Sequence, residues 1–265
     1  MDNFKDRITK RQRLKHTAIW LQNLLAPICN PLWAVRGLSA YPRYIADWRQ
    51  YTRLPGAEPL SIANTAPQLH DRTGITGIDA HYFYTNGWAM RRIVAQRPAQ
   101  HVDIGSQTMF VNLLSAVLPV TFVDYRPLEA RMAGLTNRGG DILNLPMGNG
   151  SVESLSCLHV AEHIGLGRYG DTLNPAGTRL ACNEIKRILA VEGNLFFTLP
   201  VGKPRVCFNA HRIHAAKTIL EFFSGLDLEE YSGVHDDGRY VEKVDIDEFA
   251  DSQYACGMFW FRKPR

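Results

Sequence analysis

From residue 101 onward short strand-like runs alternate with stretches of helical periodicity, and that alternation narrows the fold more than any other feature. His101–Ile104 is a short strand that ends at Gly105. Thr108–Leu118 carries Phe110, Leu113, Leu114 and Val117 on one helical face, and Pro119 stops it. Val120–Val123 is a second strand, ending in Asp124, and Leu155–Val160 is another. Asn174–Ala190 reads as a helix with Leu180, Ala181, Ile185, Ile188 and Leu189 on one face; Asn174 suits its cap and Pro175 its first turn. Gly193 then separates it from the strand Leu195–Leu199. Strands that alternate with helices predict a parallel sheet covered on both faces. The end departs from this rhythm. Residues 213–224 read as a helix and Leu228–His235 as a strand, and GMFWFR (257–262) is a strand with no helix after it, so it is expected to pair antiparallel. The expected fold is α/β: a Rossmann-like, doubly wound, mostly parallel sheet with an antiparallel C-terminal strand and a helical N-terminal extension.

Two domains are expected, an extension over 1–70 and the sheet domain over 71–265. The extension opens with Lys5, Arg7, Lys10, Arg11, Arg13 and Lys15. Trp20, Leu21, Leu24, Leu25, Ile28 and Trp33 follow, and prolines at 27, 31 and 42 are expected to break this segment. Tyr41, Tyr44, Trp48 and Tyr51 are then mixed with Arg36, Arg43, Arg49 and Arg53. Rings and cations together suit an anionic membrane surface, reached through residues 1–53; the other reading is a helical arm packed on the main domain. No apolar run approaches the roughly 18 residues of a membrane span. Ala18–Ile28 is interrupted by Gln22, Asn23 and Pro27, and no clean small-x-small cleavage site follows it. The net charge of +4 is too small to argue for nucleic acid. Five cysteines, an odd number with no C-x-x-C pair, argue against a disulfide framework and for a reducing compartment. The expected location is cytoplasmic, peripheral on the inner face of the cell membrane.

Ligands of open α/β sheets bind outside the carboxyl ends of the strands, so the residues there are the candidates. The first strand contributes Asp103, Gly105 and Ser106, the second Asp124. Asp141 lies in the next loop, and His159, Glu162 and His163 follow the Leu155–Val160 strand. Gly105 lets the backbone approach a ligand closely. Asp124, 21 residues beyond Asp103, has the spacing of a ribose-hydroxyl acceptor. G-x-G-x-x-G is absent, since Gln107 and Phe110 stand where it needs glycines. His159–Gly165, HVAEHIG, contains H-x-x-E-H, which a zinc peptidase would carry on one helix. Here a strand runs into it, so the helical geometry fails, and no metal-ligand set is read from the sequence.

These motifs resemble the class I S-adenosylmethionine-dependent methyltransferases over roughly residues 98–262. VDIGS (102–106) is similar to the first motif of that superfamily and FVDYRP (122–127) to the second. GDILNLPMGNGSVESLSCLHVAEHI (140–164) and EIKRILAVEGNLFFTLP (184–200) resemble the units that follow. GRYGD (167–171), NP (174–175), PVGK (200–203) and FNAHRI (208–213) look like a little-characterised methyltransferase-like family found in some surface-polysaccharide settings. The resemblance implies S-adenosylmethionine as cofactor, held by Asp103, Gly105, Ser106, Gln107, Asp124, Tyr125, Asp141, Ile142 and His159. It implies methyl transfer to a hydroxyl of a small molecule, a glycan, or a lipid- or nucleotide-linked sugar. His163 is the first candidate base, with His159 and His211 behind it, because neutral histidine accepts protons near pH 7. Glu162, Tyr169, Asn209 and Arg212 are candidates for the acceptor side. Gln107 replaces the glycine on which the methionine part of the cofactor usually lies. It would either crowd the cofactor or bond its carboxylate, which keeps open a non-catalytic partner-binding module in polysaccharide assembly.

Overall fold

The computed structural model describes residues 31–265. The chain divides into two compact units, 1–77 and 78–265. In the first, helix α1 spans Pro31–Tyr51, and a 3-10 turn at Ile62–Asn64 is capped by Ser61. The expected proline break at 42 does not occur. Pro31 opens the helix, where a missing N–H costs nothing, and Pro42 is carried inside it. Trp33 stacks on His70 with ring centroids 3.9 Å apart. The basic run at Lys5–Lys15 and the apolar segment around Trp20–Ile28 lie outside the described residues. No described helix is long and apolar enough to cross a membrane.

The second unit is built on one eight-stranded sheet in the order β3-β2-β1-β4-β5-β10-β8-β9. Its parallel part is β1 (His101–Ile104), β2 (Val120–Asp124), β3 (Leu135–Gly139), β4 (Val152–Leu158) and β5 (Leu189–Val201). Two antiparallel strands, β8 (Asp227–Val234) and β10 (Ala255–Arg262), extend it, with β9 (Tyr240–Val241) at the edge. A small separate hairpin joins β6 (Arg205–Cys207) and β7 (His211–Ile213). The Rossmann-like architecture and the antiparallel terminal strand agree with the sequence expectation.

Side chains alternate between the two sheet faces along each strand, so each face builds its own core. Leu195, Phe197, Leu199 and Val201 of β5 join Phe259 and Phe261 of β10 on one face. Helix α4 (Gly177–Ile188) packs there through Ala181, Cys182, Ile185 and Ile188, and α5 (Ala216–Phe222) through Ile219. Phe196, Cys256 and Met258 face the other way. They meet Trp88, Ala89 and Ile93 of α2 (Ala80–Gln96) and Phe110, Val111 and Leu114 of α3 (Thr108–Ser115). Helices therefore cover both faces, as a parallel sheet needs.

Several boundaries differ from the sequence reading. Helix α2 was not legible because HYFYTNGW mixes rings and polar residues; Asp79 caps it by accepting from the Tyr82 N–H at 3.3 Å. Strands β3, β6, β7 and β9 were also missed, being short or exposed. Helix α4 starts at Gly177 rather than Asn174, whose Oδ1 instead accepts from the Ala176 N–H at 2.9 Å in a preceding turn. Strand β4 ends at Leu158, and Ala161–His163 form one 3-10 turn, so H-x-x-E-H does not sit on an α-helix.

Candidate functional site

The strand order reverses at β1. The chain runs outward from β1 to β2 to β3, then returns to pair β4 on the other side of β1. Such a reversal leaves a crevice beyond the carboxyl ends of the two central strands. The loops after β1, β2, β3 and β4 line a cleft there, with a wall from residues 163–174. Gly105 forms its floor. It has φ 65°, and a Cβ added to it would lie 3.1 Å from Val160 Cγ1 and 3.5 Å from Asp124 Oδ2. Only glycine fits that conformation and leaves the floor open.

Asp124 ends β2 at the rim, with Oδ1 accepting from the Arg126 N–H at 2.7 Å. The other oxygen is the one that faces Gly105. Asp141 lines the cleft two residues past Gly139, the β3 partner of Asp124, its Oδ1 taking the Leu143 N–H at 2.8 Å. Ile142, Leu143, Val160 and Ile164 supply apolar surface to the cleft. Tyr125 and Tyr169 add rings, and the Arg126 guanidinium lies 4.6 Å from the Tyr169 ring centroid. The cleft thus offers two carboxylates from neighbouring strand ends, apolar surface and aromatic rings.

The 163–174 wall is fastened from below. Buried Arg212 donates to the Ile164 carbonyl at 2.5 Å and to the Asn174 carbonyl at 3.0 Å. Asp171 accepts from the Gly165 N–H at 2.6 Å. Partial burial would raise the Asp171 carboxyl, but the Gly165 and Tyr169 N–H groups outweigh it and hold it below its ordinary range. At Gly165, φ 80°, a Cβ would lie 2.2 Å from the Asn174 carbonyl oxygen, so the two ends of this loop close on glycine.

The histidines of HVAEHIG cluster around one carboxylate. Glu162 is buried, with Oε1 3.2 Å from His159 Nδ1 and 3.7 Å from His163 Nε2. Burial alone would raise its carboxyl, yet the two histidines outweigh it and keep it low. Burial alone would likewise lower the His159 imidazole; Cys256 and Glu162 reverse this and raise it. His163 Nδ1 lies 2.5 Å from the Ala210 carbonyl. A carbonyl only accepts, so Nδ1 carries a proton, and Nε2 lies on the Glu162 side of the ring.

The sequence candidates separate into two groups. Gly105, Asp124, Tyr125, Asp141, Ile142, His159, His163 and Tyr169 line the cleft. The others do not. Asp103 is fully buried, accepting from the Ser106 N–H at 3.0 Å and from the Ser156 hydroxyl, and burial pushes its carboxyl up to about 6. The Ser106 hydroxyl accepts from the Leu158 N–H at 3.0 Å. Gln107 turns away and accepts from Asn86 Nδ2 at 2.9 Å. Glu162 and Arg212 act beneath the surface, and Asn209, at φ 62°, donates to the Leu166 carbonyl at 3.4 Å. His211 stands beside the cleft with its ring 6.5 Å from His163 and 4.9 Å from Tyr254, and burial lowers its imidazole. Arg126, Leu143, Asp171 and Thr172 line the cleft without having been singled out. The acid, ring and glycine pattern of GRYGD was the signal for that wall.

Comparison with known proteins agrees with this architecture. No curated protein matches the chain by sequence. A family model described as a Caenorhabditis protein of unknown function, DUF268, matches residues 147–260, less than half of the chain. Among solved structures, the chain is similar to the N-methyltransferase NodS from Bradyrhizobium japonicum WM9 in complex with S-adenosyl-L-homocysteine. The identity is 16%, the TM-score 0.51, and 69% of this chain and 87% of that one are covered. It is also similar to the [4+2]-cyclase SpnF, with 14% identity and a TM-score of 0.52 over 73% of this chain and 85% of that one. These likenesses establish the fold: the sheet domain has the fold of the class I methyltransferases.

Proposed function

We propose that the chain is an S-adenosylmethionine-dependent methyltransferase acting on a hydroxyl group. The observation that carries this reading is the pairing of Gly105 with Asp124 at the strand-order reversal. The floor that a Cβ would fill and the carboxylate facing it fit a nucleoside with its ribose hydroxyls on Asp124. Asp141, Ile142 and Leu143 fit the adenine side, and Tyr169 closes over the reacting end. When bound, the cofactor supplies an electrophilic methyl group. The protein holds the acceptor in line with it and keeps water from the reaction, a proximity effect. His163 Nε2 accepts the hydroxyl proton, while the Ala210 carbonyl fixes the tautomer and Glu162 stabilises the imidazolium that forms. Gln107 does not oppose this reading, because its side chain is tied to Asn86 and leaves the floor of the cleft clear.

Titration calorimetry with S-adenosylmethionine and its demethylated product tests the reading. Saturable binding of both at one site is expected, lost in Asp124→Ala. No binding of either would overturn it. His163→Ala is expected to lower kcat about 10²–10⁴-fold with unchanged cofactor affinity; full activity in that variant would remove the base assignment.

For the acceptor we propose a glycan or a lipid- or nucleotide-linked sugar, met at an anionic membrane surface through residues 1–53. In support, Val35, Leu38, Tyr41 and Ile45 form an exposed apolar stripe along α1, with Arg49 on the same face. Flotation with anionic liposomes should succeed for the whole chain and fail once residues 1–53 are removed. Equal flotation of both would discard the membrane contact.

A further inference from the structure

Beside the cleft, three soft-metal donors from distant parts of the chain converge. His81 comes from the first turn of α2, His159 from the end of β4 and Cys256 from the start of β10. Their ligand atoms all lie within 4.8 Å of one another, and they form the only such three-donor group among the described residues. His159 Nε2 is 3.3 Å from Cys256 Sγ. In a tetrahedral zinc site, bonds of about 2.0–2.1 Å to nitrogen and about 2.3 Å to sulfur place those atoms roughly 3.5 Å apart.

A second, independent observation comes from the surroundings. The other nitrogen of His159 meets the Glu162 carboxylate at 3.2 Å. A histidine held between a carboxylate and a metal is the usual outer arrangement of a zinc ligand, fixing its tautomer and aim. His81 hydrogen-bonds the Tyr254 backbone and stacks between His159 and Tyr254, with centroids at 5.6 and 4.9 Å. Glu162 itself is 1% exposed, and its Oε2 has no hydrogen-bond partner among the described residues. A buried carboxylate with an unsatisfied oxygen is costly unless positive charge lies nearby.

We propose that His81, His159 and Cys256 bind one divalent transition-metal ion, zinc before others, with Glu162 orienting His159 from behind. Two imidazoles and a thiolate select zinc, cobalt or copper over magnesium or calcium, which prefer oxygen donors. Binding converts the Cys256 thiol to a thiolate and releases its proton. Three protein donors leave a fourth position for water or a substrate oxygen. This set differs from the H-x-x-E-H reading, since Glu162 is no ligand, His163 takes no part, and two of the three donors lie outside that motif. Metal binding does not depend on the methyl-transfer reading and is measured without S-adenosylmethionine.

The test is metal analysis of the untagged chain after incubation with zinc and dialysis, with cobalt substitution as a second readout. About one zinc per chain is expected, and the cobalt form should show a thiolate-to-cobalt charge-transfer band. Affinity should fall at least tenfold in His81→Ala, and the band should vanish in Cys256→Ser while persisting in Cys207→Ser. His81 is half-buried at the start of a helix, so its variant reports on the site even where Cys256→Ser fails to fold. Substoichiometric zinc, a cobalt form lacking the thiolate band, or unchanged affinity in His81→Ala would each overturn the site.

Discussion

The parallel and antiparallel halves of the sheet reach the same functional edge by different routes. In the parallel half, β1, β2, β3 and β4 all point their carboxyl ends toward the cleft, so Gly105, Asp124, Gly140 and His159 arrive in chain order. In the antiparallel half the direction is reversed. Strand β10 presents its amino end there, with Ala255 opposite Val201 and Cys256 opposite Pro200 of β5. Neighbouring β8 brings its carboxyl end, with Val234 opposite Cys256. Parallel strands gather their loops on one side by topology alone, whereas an antiparallel strand contributes whichever residue the register sets there. The polar chemistry follows the same division. The parallel half sets Asp124 and Asp141 at the rim and buries Asp103, and the antiparallel half buries Glu230.

That buried carboxylate gives the largest expected effect. Glu230 on β8 takes Arg92 Nη2 at 2.6 Å and the Trp88 Nε1–H at 2.9 Å, joining α2 to the antiparallel half. Glu230→Ala would take from Arg92 its short carboxylate contact, leaving only Glu242 at 3.6 Å and the Trp88 carbonyl, and would leave the indole N–H without an acceptor. A loss of about 3–5 kcal/mol is expected in denaturant unfolding, with ligand binding per folded molecule unchanged. A loss under about 1 kcal/mol would show the pair to be worth no more than a surface ion pair.

Next comes the floor of the cleft. Gly105→Val combines a positive φ with a side chain pressed on Val160, and cofactor affinity should fall about a hundredfold, or roughly 2.7 kcal/mol. Metal binding at His81 and Cys256 should survive, which would separate the contributions of the two halves. Loss of both together would show that they form one unit.

A smaller effect comes from the buried polar ladder that crosses from β1 to β4. His101 touches Ser154 at 2.7 Å and Ser156 at 2.8 Å, and burial lowers its imidazole from 6.5 to about 3. Between those values the folded state binds fewer protons than the unfolded one, so this group makes stability fall as pH drops from about 6.5 toward 3. Asp103 works in the opposite sense. Burial raises its carboxyl from 3.8 to about 6, so its share of stability falls as pH rises through that range. His101→Asn should therefore flatten the loss of thermal stability on acidification. An unchanged pH profile would remove His101 as its source.

The smallest effect is expected from Gln107→Gly, which restores the usual glycine spacing. Because Gln107 is engaged with Asn86, cofactor affinity should change less than about twofold. A large gain would mean that Gln107 does crowd the cleft.

Much of the sheet domain was legible because its signals are local. Helix α3 was legible from Phe110 and Leu114, although Val111 rather than Leu113 or Val117 completes its buried face, and β10 declares itself by a continuous apolar run. Gly105 and Asp124 were legible because a tight turn and a strand tip each need a particular residue type. The roles of Asp103, Ser106 and Arg212 were not, because an acidic or basic residue near a strand end looks the same whether it faces a ligand or the protein interior. Burial decided against the cleft for all three.

The sequence by itself determined the alternation of the central strands and helices, the glycine floor and the rim carboxylate, since these depend on periodicity and backbone freedom within a few residues. Only the tertiary structure decided that HVAEHIG is a 3-10 turn beside a strand end and that His159 meets Cys256, 97 positions away. That meeting follows from the antiparallel pairing of β10 on β5. Shifting the register by one residue would move the thiol to the other face of the sheet, a long-range choice that no local pattern records.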